Sequence, residues 1–244
     1  MIELSDVSLS YPIIRTKSLS FQNKVYDSVG GYLGRQSSQT YVTALSKIDL
    51  RLTAGDRLGV IGHNGAGKST LLNVLAGIYP PTTGKITTTG QVQSMIDFTL
   101  GMEADQSGLQ NIMFRLTFMG FTRKAALKAA NEIIEFAELG EFIHLPINTY
   151  STGMGLRLAF AISTYINPDI LILDEIIGAG DEAFQVKARE RIDDVIGRAN
   201  ILILSSHNMS SIKEYCNRCV VLKKGNLLFD GDCASAIDVY QNLA

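Results

Sequence analysis

The feature that most constrains this chain is a glycine-rich segment at residues 62–70, with the sequence GHNGAGKST. It satisfies the pattern G-x-x-x-x-G-K-[ST], whose defined positions are filled by Gly62, Gly67, Lys68 and Ser69. Residues 57–61 before it are mostly apolar, as in a buried strand, and the leucines after it have helical spacing. The sequence therefore predicts a strand that leads into a helix through a tight loop.

Such a loop has a specific chemistry, because glycines carry no Cβ that would hold an anion away from the backbone. Successive N–H groups can turn inward at the start of the helix and form a phosphate site. Lys68 would reach the β- and γ-phosphates, and the Ser69 hydroxyl would ligate Mg²⁺. A glycine turn that only caps a helix is the alternative, which the flanking strand and helix disfavour. The predicted nucleotide-binding residues are Gly62, His63, Asn64, Gly65, Ala66, Gly67, Lys68, Ser69 and Thr70.

Two further apolar runs end in polar side chains. Residues 170–173 are followed by Asp174 and Glu175, and residues 201–204 are followed by a short segment that ends at His207. Buried parallel strands have this character, and ligands of open α/β sheets bind at their carboxyl ends. We therefore expect both carboxylates at the ligand-binding edge of a sheet.

Composition excludes several classes of protein. The chain has 244 residues, of which 46% are hydrophobic, so a large core can form. No run approaches the roughly 20 apolar residues of a membrane span, and the first residues do not resemble a secretion signal. With 22 basic and 24 acidic residues there is no broad positive surface for nucleic acid. We expect a cytosolic chain without a nucleic-acid partner.

Three cysteines suit a reducing compartment. Cys216 and Cys219 form a C-x-x-C, and Cys233 lies nearby. A zinc site would need a second pair or histidines, so we favour buried or half-buried thiols over a metal site.

Along the chain, residues 2–11 alternate apolar and polar residues as in a half-buried strand. Residues 12–43 are richer in serine, glutamine and glycine and are predicted to be an insertion, with one short amphipathic helix between Phe21 and Leu33. Residues 98–149 have a helical character. Within them, Thr122 is a predicted N-cap for a helix that runs to Leu139. The apolar stripe of this helix is predicted to comprise Leu127, Ala130, Ile134 and Ala137.

Taken together, these motifs resemble the ATP-binding subunits of ABC transporters over essentially the full chain. Six elements follow in that family's order. They are an aromatic residue near the N-terminus (Tyr11), the phosphate loop, a helical insertion, a signature turn (residues 150–154), the strand that ends in Asp174 and Glu175, and a histidine near the C-terminal end (His207). The resemblance implies an α/β P-loop NTPase with a RecA-like core, an N-terminal antiparallel β part and a helical subdomain. It divides the chain into residues 1–97, a helical subdomain at 98–158 that ends in the signature turn, and residues 159–244.

The same resemblance implies roles for individual residues, with ATP and Mg²⁺ as the cofactors. Glu175 resembles the general base, and His207 the histidine that binds the γ-phosphate. Asp174 resembles the group that positions Mg²⁺ through water. Tyr11 resembles the aromatic residue that stacks on adenine, although packing is the alternative for a tyrosine at a strand end. Asp181 resembles a residue that contacts the opposite subunit.

The resemblance also implies the assembly. Ser151 and Gly153 occupy the signature turn, which in this family lies on a different lobe from the phosphate loop. A second copy, arranged head to tail, would therefore complete each site, so we expect a homodimer that encloses two ATP molecules. Two copies of an integral membrane permease are the implied partners, and the cytoplasmic face of the inner membrane is the implied location.

Two departures from the common family pattern are present. The signature turn has the sequence YSTGM where LSGGQ is common, and Asp97 lies nearest to the position of a missing glutamine, which makes it a candidate metal ligand. With the insertion at 12–43 and residues 180–184, these departures resemble the branch that exports O-antigen, capsule or teichoic acid. We expect an ATPase that drives export of a lipid-linked polysaccharide, without the C-terminal carbohydrate-binding domain that some of these subunits carry.

Two alternatives remain open. An importer subunit would normally show a clear glutamine near Asp97 and a more common signature turn. A non-transport ABC protein acting on nucleic acid or the ribosome would normally contain two cassettes or a long coiled coil.

Overall fold

The computed structural model describes residues 1–13, 32–36, 39–175 and 182–243. The described residues form two compact units. The first comprises Met1–Ile96, Asp169–Ile176 and Asn200–Ala244, and the second comprises Asp97–Pro168 and Ile177–Ala199.

The strands, in chain order, are β1 (Ile2–Ile13), β2 (Tyr32–Gln36), β3 (Gln39–Leu52), β4 (Arg57–Ile61), β5 (Thr83–Thr88), β6 (Val92–Met95), β7 (Ile170–Asp174), β8 (Ile201–Ser205), β9 (Arg218–Lys223) and β10 (Asn226–Gly231). The helices are α1 (Lys68–Leu75), α2 (Gly108–Phe118), α3 (Arg123–Ala137), α4 (Thr152–Ser163), α5 (Glu182–Arg198), α6 (Met209–Tyr215) and α7 (Cys233–Gln241). Two 3₁₀ turns lie at Gly140–His144 and Ile147–Thr149.

The first unit contains an antiparallel sheet with the strand order β2-β3-β1-β5. β1 buries Ile2, Leu4, Val7 and Leu9 in the core. Regular alternation would separate the first two from the last two, and an irregularity in register between Leu4 and Val7, with a φ of +49° at Asp6, keeps all four buried.

The second sheet of this unit has the order β10-β9-β4-β8-β7-β6. Neighbouring strands from β9 to β6 are parallel, and β10 is antiparallel to β9. The central strands are apolar and buried throughout, as expected for a parallel sheet that is covered on both faces. Since β4, β7 and β8 run in the same direction, the loops that follow them meet at one edge of the sheet.

The second unit is helical, and side chains cap the starts of its helices. Ser107 accepts a hydrogen bond from the backbone N–H of Gln110, whose side chain accepts from the Ser107 N–H in return. The hydroxyls of Thr122 and Ser151 cap α3 and α4 by each accepting one hydrogen bond from a backbone N–H of the first turn. A core of aliphatic residues from α2, α3 and α4 fills the interior, including Ile112, Leu116, Ile133, Leu158 and Ile162.

The structural units divide the chain differently from the predicted boundary between residues 158 and 159. All of α4 and α5 belong to the helical unit. A physical reason is the aromatic contact between Phe184 of α5 and both Phe136 and Phe160, with ring centroids 5.6 and 6.1 Å apart.

The apolar stripe of α3 agrees with the prediction at Ala130 and Ala137, is partly buried at Ile134, and differs at Leu127. Leu127 is 52% exposed, whereas Ala126, Ala129, Ala130, Ile133 and Ala137 are buried. The buried face is thus formed largely by alanines. The contacts of this helix with α2 and α4 suit small side chains. Thr122 is confirmed as the N-cap, with its hydroxyl accepting from the Ala125 N–H.

The predicted insertion at residues 12–43 begins and ends as sheet. β1 continues to Ile13, β3 begins at Gln39, and β2 pairs with β3 in antiparallel register. Tyr32 and Leu33 therefore lie in a strand and not in the predicted helix, because their backbone pairs with Thr43 and Val42. Residues 14–31, where the rest of that helix was predicted, lie outside the described residues.

Across the described ranges, no helix combines the length and the hydrophobicity that crossing a membrane would need.

Candidate nucleotide site

The loop after β4 is fixed by close backbone contacts. Gly67 adopts a φ of +106° and immediately precedes α1. A Cβ on Gly67 would lie 2.8 Å from the Ala44 carbonyl oxygen, and a Cβ on Gly62 would lie 2.5 Å from the Leu222 carbonyl oxygen. Glycine is therefore required at both positions, as the motif predicts. The loop leaves the N-terminus of α1 without a side-chain cap, so its N–H groups are available to an anion.

The ammonium group of Lys68 lies within this loop. Its Nζ donates to the carbonyl oxygens of Gly62 at 2.7 Å and His63 at 3.2 Å. Burial lowers the pKa of Lys68, and the carboxylates of Asp174 and Glu175 act in the opposite direction. Lys68 is thus held against the backbone of the loop, and the two nearby carboxylates favour its charged form.

Ser69 and Asp174 bring two oxygen ligands together. The Ser69 hydroxyl donates to Oδ2 of Asp174 at 3.1 Å. Mg²⁺ prefers oxygen ligands and is usually held by one or two protein groups together with substrate phosphates and water. The pair therefore fits a magnesium ion bound with a nucleotide, although among the described residues no cluster of three acidic, histidine or cysteine side chains forms a metal cage.

Glu175 is held in an unusual backbone conformation at the end of β7. Its φ is +68°, a region that costs an L-residue about 1–2 kcal/mol. Its N–H donates to the Ser205 carbonyl at 2.7 Å, and Ser206 Oγ donates to its Oε1 at 3.4 Å. Ser205, the last residue of β8, therefore holds the backbone of Glu175, and Ser206 directly after it contacts the carboxylate. Glu175 lines the cavity at this edge.

A cavity of about 530 Å³ joins these groups. Its lining includes Tyr11, Asn64, Gly65, Gly67, Lys68, Ser69, Thr70, Asp174, Glu175 and His207, all of which were predicted as site residues. Tyr11 is 39% exposed and makes an edge-to-face contact with Tyr79, with ring centroids 6.1 Å apart. A cavity lined both by an exposed aromatic ring and by a phosphate loop suits a nucleotide.

Several contributors to the site were not predicted. Val42 and Ala44 of β3 line the cavity. Ser206 contacts Glu175, and its position directly before His207 was a usable signal. The ring of Tyr240 in α7 contacts that of His63 in a tilted arrangement, at 4.9 Å between ring centroids, and nothing in the linear sequence connects these two residues.

Of the other predicted residues, Gly62, His63 and Ala66 belong to the phosphate loop but are not part of the cavity lining. Asp97, Ser151 and Gly153 lie in the helical unit. Ser151 caps α4 by accepting from the Met154 N–H, and a Cβ on Gly153 would have only Ser151 Oγ nearby, at 3.9 Å. Oδ1 of Asp97 accepts from both the N–H and the hydroxyl of Thr99, and these bonds lower the pKa of Asp97. Its assignment as a metal ligand stays a prediction, and Asp181 lies outside the described residues.

Comparison with known proteins identifies the class of this site. Residues 45–178, more than half of the chain, match the ABC transporter family. The chain is 45% identical over 222 residues to the O-antigen export system ATP-binding protein RfbE of Yersinia enterocolitica, covering 90% of this chain and 93% of that protein.

More distant relatives agree. The chain is 39% identical over 219 residues to the O-antigen export system ATP-binding protein RfbB of Myxococcus xanthus, covering 88% of this chain and 50% of that protein. It is 34% identical over 225 residues to the teichoic acids export ATP-binding protein TagH of Bacillus anthracis, covering 92% of this chain and 41% of that protein.

A solved structure confirms the predicted fold class. The ATP-binding cassette MJ0796, solved as a dimer in a post-hydrolysis state with ADP and Pi, superposes with a TM-score of 0.69. The match covers 96% of this chain and 99% of that chain at 20% identity, and it shows the fold alone. The family match and the close sequence relatives show that this chain belongs to the ABC transporter family, as one of its subunits that bind and hydrolyse ATP.

Proposed function

We propose that this chain powers the export of a lipid-linked cell-surface polysaccharide, of the O-antigen type, across the inner membrane. The observation that carries this proposal is the 45% identity to an O-antigen export ATP-binding protein over 93% of that protein's length. Relatives named for export of O-antigen and of teichoic acids add to this support.

The geometry of the site supports the following chemistry. The loop N–H groups and Lys68 bind the phosphates, and Tyr11 stacks on the adenine. Ser69 and Asp174 would hold Mg²⁺, and the ion would supply positive charge beside the phosphates. Glu175 accepts the proton of the attacking water, and His207 donates a hydrogen bond to the γ-phosphate. The hydrogen bond from Ser206 supports this role of Glu175 by fixing its carboxylate.

The proposed active form is a homodimer that acts with two copies of a membrane permease at the cytoplasmic face of the inner membrane. The chain contains one phosphate loop and one signature turn, so a head-to-tail pair would supply two complete sites. The open space around Gly153 supports this arrangement, since a partner's nucleotide could approach the start of α4 without meeting a side chain there.

The hydrolysis step is tested with Glu175→Gln in the purified full chain. We expect kcat for ATP to fall at least about 100-fold while ATP still binds, because the general base is lost and the loop is intact. Glu132→Gln, which neutralises an exposed acid of the helical unit, serves as the control and should keep wild-type turnover. Ser206→Ala should lower kcat about fivefold, the effect of one hydrogen bond. Unchanged turnover in Glu175→Gln would contradict the proposed chemistry.

The transport step is tested in cells whose own copy carries Glu175→Gln. We expect surface polysaccharide to disappear and its lipid-linked form to accumulate inside the cell, as detected by surface labelling and by extraction of the lipid fraction. Loss of uptake of a solute with normal surface polysaccharide would instead support an importer. The neighbouring genes give an independent test, because glycosyltransferases beside a six-span membrane protein favour export and a periplasmic binding protein favours import.

A further inference from the structure

The carbonyl of His63 is a structural centre of the phosphate loop. It accepts hydrogen bonds from Lys68 Nζ at 3.2 Å and from the Ala66 N–H at 3.1 Å. The position of this one peptide therefore sets both the curvature of the loop and the place from which the lysine starts toward a phosphate. The side chain of His63 is exposed and points away from the apolar core.

The ring of Tyr240 contacts the imidazole ring of His63. The two rings lie 4.9 Å apart at an interplanar angle of 37°, within the range of favourable aromatic contacts. Tyr240 is half-buried near the end of α7, and this helix is firmly anchored. Asp232 caps its start by accepting from the Ser235 N–H, and Ala236 and Ile237 are buried.

Backbone contacts hold the loop on both sides of His63, because Gly62 and Gly67 lie close to the carbonyl oxygens of Leu222 and Ala44. The Gly225 N–H, in the turn between β9 and β10, donates to the Ala66 carbonyl at 2.8 Å. The contact with Tyr240 adds a restraint on the His63 peptide through the His63 side chain. When Lys68 leaves the carbonyls of Gly62 and His63 to bind a phosphate, that peptide loses a hydrogen bond, and a fixed ring beside His63 keeps it in place.

We propose that Tyr240 is a positioning residue for nucleotide binding, which holds the phosphate loop in its binding conformation through His63. This inference rests on the proposed role of the loop in binding the phosphates of ATP. It predicts that the terminal helix affects nucleotide affinity although it supplies no group to the nucleotide, since a loop that must first be ordered binds more weakly.

The test measures KM and kcat for ATP, and the Kd of MgADP by calorimetry, in the purified full chain. Tyr240→Ala should raise KM and Kd about three- to tenfold, the effect of losing one aromatic contact, and should change kcat less than twofold. Tyr240→Phe should behave as wild type because the ring is retained. Gln241→Ala, an exposed neighbour on the same helix, is the matched control.

A double-mutant cycle makes the test specific. His63→Ala should reproduce the rise in KM, and adding Tyr240→Ala to it should have little further effect, because both changes remove the same contact. Should Tyr240→Ala not give folded protein, the comparison of His63→Ala with wild type tests the same contact from the exposed loop.

Several outcomes would overturn the inference: an unchanged KM in Tyr240→Ala, an equal loss in Tyr240→Phe, or effects of the two substitutions that multiply. These outcomes are distinguishable from failure of the proposed function, because in that case the wild-type chain itself would neither bind MgADP nor hydrolyse ATP.

Discussion

The hydroxyl of Ser69 and the carboxylate of Asp174 form a hydrogen bond of 3.1 Å although 105 positions separate them in the chain. The contact arises because Ser69 follows β4 and Asp174 ends β7, with β8 between these two parallel strands. The carboxyl ends of such strands share one edge of the sheet. Two oxygen ligands therefore meet beside the phosphate loop.

This pair predicts how the enzyme depends on magnesium. Asp174→Asn and Ser69→Ala should each raise the Mg²⁺ concentration for half-maximal ATPase activity about tenfold or more. Ser69→Ala removes an oxygen ligand, and Asp174→Asn replaces a charged one by a neutral amide. The measurement is a titration of activity with MgCl₂ at fixed ATP. Asp169→Asn, which changes an exposed carboxylate at the opposite end of β7, should leave the Mg²⁺ dependence unchanged. Equal curves for Asp174→Asn and wild type would exclude this pair as the metal site.

Most of this site could be predicted because its residues lie in short segments whose chemistry is local. The glycines, Lys68 and Ser69 are fixed by the geometry that a phosphate requires, and Asp174 and Glu175 directly follow an apolar strand. Parallel pairing then brings such strand ends together without further information.

The unpredicted features depend on contacts between distant segments. The ring contact between Tyr240 and His63 could be predicted only by knowing where α7 packs, which the periodicity of the sequence does not show. Leu127 was wrongly assigned to the buried face of α3 because alanines such as Ala126 and Ala129 carry a weaker apolar signal than a leucine. The assignment of α5 to the helical unit depends on Phe184, whose aromatic partners lie about 25 and 50 residues earlier.

The helical unit depends on Phe184 for stability. Its side chain is 1% exposed, packs against Phe136 and Phe160, and has the guanidinium of Arg157 5.0 Å from its ring centre. Phe184→Ala should lower the free energy of unfolding by about 3–5 kcal/mol through lost burial and a cavity. Phe118→Ala is the matched control, because Phe118 is 90% exposed and its change should stay within about 0.5 kcal/mol. Urea titration measures both, and similar losses in the two variants would contradict the assigned packing.

The three cysteines meet where β9 approaches the start of α7. Cys219 Sγ and Cys233 Sγ lie 2.7 Å apart, and Cys233 Sγ donates to the Cys216 carbonyl at 3.3 Å. Burial, with a smaller contribution from Cys233, raises the pKa of Cys216 to about 12. Because only the thiolate reacts, a pKa this high leaves about one Cys216 in ten thousand reactive at pH 8.

Alkylation therefore has a predicted pH dependence at Cys216. In the native protein its rate with iodoacetamide should rise about tenfold per pH unit between pH 7 and 9.5, since the pH stays below the pKa throughout. In urea the rate should level off near pH 9, as for an ordinary thiol. Peptide mass spectrometry at timed intervals measures both rates. A native rate that levels off near pH 9 would contradict the raised pKa.

The proposed dimer makes a prediction at the signature turn that separates activity from folding. A Cβ added at Gly153 would have Ser151 Oγ as its nearest neighbour, at 3.9 Å. A Cβ added at Gly197, which also lies in a helix, would have no neighbour within 4 Å. Alanine favours helices over glycine, so neither Gly153→Ala nor Gly197→Ala should lower Tm. Only Gly153→Ala should reduce ATPase activity, by about tenfold or more, because its methyl group lies where a partner's nucleotide approaches the N–H groups of α4. In size-exclusion chromatography with ATP, we expect Glu175→Gln alone to form a dimer and Glu175→Gln combined with Gly153→Ala to remain monomeric. Full turnover and normal dimer formation in Gly153→Ala would contradict a site shared between two copies.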